Sequence, residues 1–406
     1  MTEAWIIDGC RTPRGRGKES GALHPFHPQE LLAQVLVALQ ERVGFDPREV
    51  DDVVVGNNEG AGDHGSCIGR MSVLSAGWPN ETPGLTLNRF CGSGQQALNY
   101  AAIGVLSGQQ RLTIGGGVES MSRWSVRGSM GAGNPHLMEL HPLVPQGISA
   151  DLIATLEGFS REDLDQFALL SQQRAARAIA EGRFDRSLVT VHHPDGTVAL
   201  DHDEHPRAGT TIEGLAKLEP SFAKQGARIA EGETRSSDDK CVAVYPQIDA
   251  VQHLHHAGNS SGIVDGAGAI LVASDEYARA NGLTPRARIV ATGVAGAEPV
   301  IMLTAPSPAS QQVLRRAGMS MNDIDIWEIN EAFAAVPLKT IRDLGIDLDR
   351  VNVNGGSIAM GHPIGATGAM LVQTALDELE RRDASTALIT MCTGGGMATA
   401  TIIERL

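Results

Sequence analysis

The chain has 406 residues, 42% hydrophobic and 20% charged, enough for two or three domains of ordinary size around an apolar core. Its formal charge of −15, from 33 Lys and Arg against 48 Asp and Glu, excludes the basic footprint of a nucleic-acid binder. Only 4% of residues are aromatic while 47 are glycine, so tight turns and close backbone approaches are expected rather than aromatic recognition platforms.

The first residues, Met1-Thr-Glu-Ala-Trp-Ile-Ile-Asp8, enter a strand-like pattern without a secretory or import signature. No apolar run reaches bilayer length, and Glu404-Arg405-Leu406 is not a peroxisomal signal, so a cytoplasmic protein is expected. Val53-Val-Val55 reads as a buried strand, and Thr86-Leu87 leads into Cys91-Gly-Ser-Gly94. A helix follows with Ala97, Leu98, Ala101, Ala102, Val105 and Leu106 on one stripe. Leu112-Thr-Ile114 is the next strand and ends in Gly115-Gly-Gly117.

From 124 to 258 the pattern loosens. Arg123–Pro145 reads as loop, Ser160–Gly182 as a helix opened by a Ser160/Asp163 capping box, and His192–Arg207 as polar turns. The later sequence then repeats the first plan. Asp325-Ile-Trp327 is a strand, with Asn330-Glu-Ala-Phe333 beginning a helix after it. Gly365-Ala-Thr-Gly368 opens a helix striped by Leu371, Val372, Ala375, Leu376 and Leu379. Ala387–Met391 runs into Gly394-Gly-Gly396 and a last strand near Thr399–Ile403. Strand, Gly-rich turn, helix, strand and triple glycine thus occur twice, which suggests a duplicated α/β architecture.

Three sites carry chemistry. Asn88-Arg-Phe-Cys91-Gly-Ser-Gly94 puts a thiol at a strand-to-helix turn, where N–H groups and the helix dipole favour thiolate; a buried structural cysteine is the alternative. Gly361-His362-Pro363 offers an imidazole in the matching turn, able to take a proton from Cys91. Cys392-Thr-Gly-Gly-Gly396 sets a second thiol at a strand end. The other cysteines, Cys10, Cys67 and Cys241, complete an odd count without a Cys-x-x-Cys, so a disulfide framework is not expected. His253-x-His255-His256 resembles a metal motif, but without a carboxylate or Cys at ligand spacing a polar loop accounts for it. Gly115-Gly-Gly117 is not a dinucleotide fingerprint.

Four blocks, Cys91-Gly-Ser-Gly94, Asn330-Glu-Ala-Phe333, Gly361-His362-Pro363 and Cys392–Gly396, resemble the thiolase family in kind and order. Gly116–Ser122 and Ala257–Gly262 extend the likeness over nearly the whole chain. The resemblance implies two similar βαβαβαββ halves in αβαβα layers with an inserted loop domain. The divisions expected are 1–123 with 259–283, the insert 124–258, and 284–406. It implies that Cys91 takes the acyl group of a 3-ketoacyl-CoA, activated by His362. His362 and a water on Asn330 would hold the enolate-like oxygen, the N–H groups of Cys91 and Gly394 the tetrahedral one, and Cys392 would move the proton. Ser261, Ala257 and Phe222 would line the pantetheine channel with Phe333, Arg207 would lie near the adenine end, and Met302 near the acyl group. No bound cofactor or metal is implied; coenzyme A and acyl-CoA are substrates. The expected assembly is a homodimer or a dimer of dimers.

Three departures refine this. Val144-Pro-Gln-Gly147 stands where short-chain biosynthetic thiolases carry His-Met-Gly. Gly226–His256 is longer than the usual segment and, with Leu152–Ser160, resembles the thiolase subunits of actinobacterial fatty-acid oxidation complexes, implying a hydratase/dehydrogenase partner. Gly62–Cys67 replaces a segment by the dimer interface. The expected activity is therefore the thiolytic step of β-oxidation, with acetoacetyl-CoA thiolase as the alternative. A β-ketoacyl synthase, which uses two histidines, and a non-catalytic subunit, which would have lost Cys91, His362 or Cys392, stand further off.

Overall fold

A computed structural model describes residues 2–125, 133–229 and 232–406. Its main strands are β1 (Ala4–Arg11), β2 (Asp52–Gly56), β3 (Leu85–Leu87), β4 (Leu112–Ser120), β5 (Val264–Ser274), β6 (Ala287–Gly296), β7 (Ile326–Ile329), β8 (Thr386–Thr393) and β9 (Met397–Arg405). The helices that matter here are α1 (Pro28–Val43), α2 (Ser93–Leu106), α3 (Gln146–Glu157), α4 (Arg161–Ala180), α5 (Ser237–Val244), α6 (Pro306–Ala317), α7 (Ala335–Leu344) and α8 (Thr367–Arg382).

The strands lie in the order β7-β8-β9-β6-β1-β5-β4-β2-β3, and the order repeats outward from its middle. In the first half β1 is antiparallel to β5 and β5 to β4, while β4 is parallel to β2 and β2 to β3. In the second half β6 is antiparallel to β9 and β9 to β8, while β8 is parallel to β7. A parallel bridge from Trp327 to Val351 stands where β3 stands in the first half. The halves meet along Trp5–Ile6 and Ala287–Arg288. The duplicated plan read from the sequence is therefore present in the pairing.

Helices α2 and α8 lie between the half-sheets, α1 covers the outer face of the first half and α6 that of the second. The central layer is apolar on both sides. Leu98, Ala102 and Val105 of α2 pack with Ile270, Ile326 and Ile389, and with Leu371, Val372, Ala375, Leu376 and Leu379 of α8. Each fully buried Leu, Val or Ile there contributes about 1.5–3 kcal/mol. Leu106 departs from the expected stripe: with Tyr100 and Ile103 it is exposed on the outer face of α2.

The two triple glycines differ. Gly115–Gly117 do not end their strand but lie inside β4, because neighbouring backbone passes too close for a side chain. A Cβ on Gly115 would sit 2.4 Å from the Leu98 Cα of α2, and one on Gly117 1.9 Å from the Gly365 carbonyl oxygen. Gly394–Gly396 do form the turn from β8 to β9. Asn330–Phe333 also differs from expectation, for α7 begins only at Ala335 and the block is a connection held by a Ser260–Phe333 bridge.

In the middle region α4 has the expected capping box, Ser160 Oγ accepting from the Asp163 N–H and the Asp163 side chain from the Ser160 N–H. The stretch read as loop contains a helix, Pro135–Leu140, while its residues 126–132 lie outside the described residues, as do 230–231 of the long Gly226–His256 segment. His192–Arg207 starts within a small hairpin, Val191–His192 with Val198–Leu200. No helix among the described residues is long and apolar enough to cross a membrane.

Candidate active site

Cys91 stands in the turn between β3 and α2, one residue before the Gly92 N-cap. The turn is tied by short local bonds: Asn88 Oδ1 accepts from the Phe90 N–H at 2.7 Å, and Ser93 Oγ donates to the Phe90 carbonyl at 2.6 Å. Phe90 is forced to φ 47°, the strained backbone of a nucleophile elbow. Gly92 is needed because the end of β8 presses on the turn; a Cβ there would lie 2.7 Å from Thr393 Cγ2.

The expectation that the helix start favours the thiolate is corrected by burial. Desolvation pushes the Cys91 thiol up to about 11, against the opposing pull of the Gln146 amide and of the Gly394 and Cys91 N–H groups. The thiol is therefore neutral at rest and needs a base to attack. The same contacts place the Cys91 and Gly394 N–H groups at the sulfur, where an oxyanion on an attached acyl carbon would form.

The candidate base, His362, is arranged by its neighbours. His362 is buried, its Nδ1 2.6 Å from Thr367 Oγ1, whose own proton goes to the Pro363 carbonyl at 2.9 Å. That hydroxyl must accept, so Nδ1 carries the ring proton and Nε2 keeps its lone pair. Nε2 faces the Asn330 Nδ2 at 3.4 Å, and Ser357 Oγ fixes the amide by donating to Asn330 Oδ1 at 2.6 Å. Burial, helped by the Arg14 charge, lowers the His362 pKa to about 3, so the free imidazole is neutral across the physiological range. Replacing Thr367 with Val keeps the shape but frees the tautomer. kcat should fall about tenfold to a hundredfold with KM little changed in steady-state assays.

Cys392, fully buried near the end of β8, completes the group. Burial first, and the neighbouring Cys91 second, raise its pKa well above the ordinary thiol value, so it is a neutral thiol. The loops converge because Gly94 and Gly365 touch: a Cβ on Gly94 would meet the Gly365 carbonyl at 2.5 Å. The strand end carrying Asn330 is in turn bonded to β8 by the Asn330 N–H to the Thr390 carbonyl.

Met302, at φ 58°, is buried in one cluster with Cys392, Ile148 and Ile358. Phe222 meets Phe333 edge-on at 5.8 Å and covers Gly147, beside the Gln146 that faces Cys91. The Ser261 N–H donates to the Ala332 carbonyl at 2.9 Å, while Ala257 is exposed. Arg207 is also exposed, and its charge acts on His205, whose ring lies over Gly262. Thr367, Ser357 and Gln146 were not read as site residues from the sequence. The only signals were Thr367 inside the Gly365–Gly368 turn and Gln146 inside a departing motif.

The His253–His256 run is a loop, as expected, but a buried one: His255 and His256 are fully buried and their partners are carboxylates from other segments. His255 Nδ1 lies 2.7 Å from Asp151 and His256 Nε2 2.8 Å from Asp165. One described group, Glu59, His64 and Glu119, gathers metal-ligand atoms within 4.8 Å. There His64 Nε2 accepts from the Ser120 N–H, and Glu119 accepts from the N–H groups of Asn58, Glu59 and Gly365, so these acceptors already serve the protein.

His253 has a carboxylate at each ring nitrogen, Asp151 at 2.8 Å and Asp238 at 3.1 Å, and the bond to Asp151 is the main cause of its raised pKa. A raised folded-state pKa stabilises fully below the unfolded value of about 6.5 and is lost as pH rises through the folded one. The melting-temperature advantage over His253→Gln should therefore be greatest near pH 6 and shrink toward pH 9. With solvent screening allowed for, it corresponds to about 1–2 kcal/mol.

Family models described as "Thiolase, N-terminal domain" and "Thiolase, C-terminal domain" match residues 4–240 and 283–405. The chain is 41% identical to a beta-ketoadipyl-CoA thiolase of Acinetobacter baylyi, with 100% of both covered. It is 39% identical to the steroid 3-ketoacyl-CoA thiolase FadA6 of Mycobacterium tuberculosis, over 100% of this chain and 95% of that one. The crystal structure of the Bacillus anthracis acetyl-CoA acetyltransferase superposes with a TM-score of 0.84 at 35% identity, covering 100% of this chain and 99% of that one. With both domain models matched and relatives aligned end to end, the chain belongs to the thiolase family of acyltransferases.

Proposed function

We propose that this thiolase is a 3-ketoacyl-CoA thiolase serving the thiolytic step of fatty-acid β-oxidation through an acyl-Cys91 intermediate. The observation that carries this reading is the convergence of a neutral elbow thiol, two N–H groups at its sulfur and a neutral imidazole whose Nε2 keeps its lone pair. In the proposed sequence His362 Nε2 takes the Cys91 proton as sulfur attacks the C3 carbonyl, and the oxyanion rests on the Cys91 and Gly394 N–H groups. Collapse breaks the C2–C3 bond. The enolate oxygen of the leaving acetyl-CoA is met by the protonated Nε2 and the Asn330 amide, and Cys392 supplies the proton to C2. Free coenzyme A then enters, gives its thiol proton back to Cys392, and takes the acyl group from Cys91, whose leaving thiolate recovers its proton from His362 Nε2.

Pro145-Gln146 at the position of the short-chain His-Met pair, with the apolar wall of Ile148, Met302 and Ile358, supports acyl chains longer than acetoacetyl. The test is steady-state thiolysis across 3-ketoacyl-CoAs from four to sixteen carbons. Medium or long substrates should match or exceed acetoacetyl-CoA, and activity confined to four carbons would assign the chain to the acetoacetyl-CoA reaction instead. Edge strand β3 with exposed Leu85, and the outward Tyr100, Ile103 and Leu106 of α2, support a homodimer in solution. A hydratase/dehydrogenase partner belongs to the same reading and rests on the likeness of Gly226–His256 to oxidation-complex subunits.

A further inference from the structure

The segment 252–262 runs as a strap between the two sides of the site. On one side it is bound to α3, whose first residue, Gln146, faces Cys91. Thr155 Oγ1 accepts from the Gln252 N–H, and Asp151 Oδ1 accepts from the Leu254 and His255 N–H groups at 3.0 and 2.9 Å. On the other side it is bound to the connection carrying Asn330. The Ala334 N–H donates to the Asn259 carbonyl, the Ser261 N–H to the Ala332 carbonyl, and Ser260 bridges Phe333.

Among the described residues, His255 is the one side chain of this strap hydrogen-bonded to both sides at once. Its Nδ1 donates to Asp151 Oδ1 at 2.7 Å, and its Nε2 accepts from the N–H of Ala335, the first residue of α7, at 3.4 Å. The ring also stands edge-on to Phe333, with centroids 5.6 Å apart and planes at 81°. An aliphatic side chain would fill the volume but would leave the Ala335 N–H without this acceptor and Asp151 without one of its donors.

We propose that His255 is a positioning residue for carbon–carbon bond cleavage. It fixes Phe333–Ala335 against α3, so that the Asn330 amide stays on His362 Nε2, where the enolate oxygen of the leaving acetyl-CoA must be held. It touches no reacting atom. The inference rests on the thiolytic reading above, in which acyl transfer to and from Cys91 uses the Cys91 and Gly394 amides and only bond cleavage needs the Asn330 side.

Two assays on the full chain separate these steps. Thiolysis of a 3-ketoacyl-CoA requires C2–C3 cleavage. Exchange of isotopically labelled coenzyme A into a simple acyl-CoA requires only that Cys91 take the acyl group from one thiol and return it to another. His255→Asn keeps a donor near the Nδ1 position for Asp151 but loses the ring and the Nε2 acceptor. Its thiolysis kcat should fall about tenfold to a hundredfold, the cost of a misplacement near 1 Å, while KM and the exchange rate stay near the parent values. Equal losses in both assays, or no loss in thiolysis, overturn the proposal. His255→Gln, whose amide oxygen reaches toward the Nε2 position and can accept from the Ala335 N–H, should keep thiolysis within about threefold of the parent; a tenfold or larger loss there overturns the proposal whether or not His255→Asn folds. A parent protein with neither activity would instead overturn the thiolytic reading itself.

Discussion

Cys91→Ser is expected to lower kcat/KM for thiolysis by roughly 10⁴–10⁶ while leaving the melting temperature close to that of the parent, since nucleophile and base act as one unit. The magnitude follows from the acidities that the fold imposes. Burial already lifts the thiol to about 11, and the His362 pKa is lowered to about 3, so proton transfer between them is uphill even for sulfur. A hydroxyl is far less acidic than a thiol, and a base this weak cannot offset the difference. Retention of more than a hundredth of the parent rate in stopped-time assays of acetyl-CoA release would show that another group attacks the substrate.

Cys392→Ala should divide the reaction. The thiol is neutral, fully buried and next to Cys91, so it suits proton delivery rather than attack. The variant should still accept an acyl group on Cys91 from a simple acyl-CoA, because the departing coenzyme A thiolate, unlike the C2 carbon of the enolate, can take its proton from water. Thiolysis of a 3-ketoacyl-CoA should drop by about 10²–10⁴, the usual contribution of a positioned acid or base. Trapping the acyl-enzyme of this variant and chasing with acetyl-CoA checks both halves. Failure to acylate would put Cys392 in the first transfer, and a chase at the parent rate would give its proton role to another group.

Local chemistry made much of this legible before any coordinates. The turns at Cys91-Gly-Ser-Gly94 and Gly365–Gly368 are punctuated by glycine and followed by helical stripes, so the elbow, the helices and the repeated plan could be read directly. Long-range packing was not legible. Gly115–Gly117 looked like a strand end because the Leu98 and Gly365 backbones that demand glycine come from elsewhere in the chain. At Cys91 the helix start is visible in the local sequence, whereas the burial that outweighs its dipole involves the distant Gln146 and Gly394 segments. His253, His255 and His256 lacked carboxylates at local spacing because Asp151 and Asp165 lie 91 to 104 residues away.

The central claim is that the carbon chain of a 3-ketoacyl-CoA passes through a thioester on Cys91. Mixing the protein with a 3-ketoacyl-CoA in the absence of free coenzyme A should release acetyl-CoA and leave the shortened acyl group on the enzyme. Intact mass spectrometry with peptide mapping should then find one such adduct per chain, on the peptide bearing Cys91. An adduct on Cys392, or acetyl-CoA released with no adduct on the protein, would contradict the account.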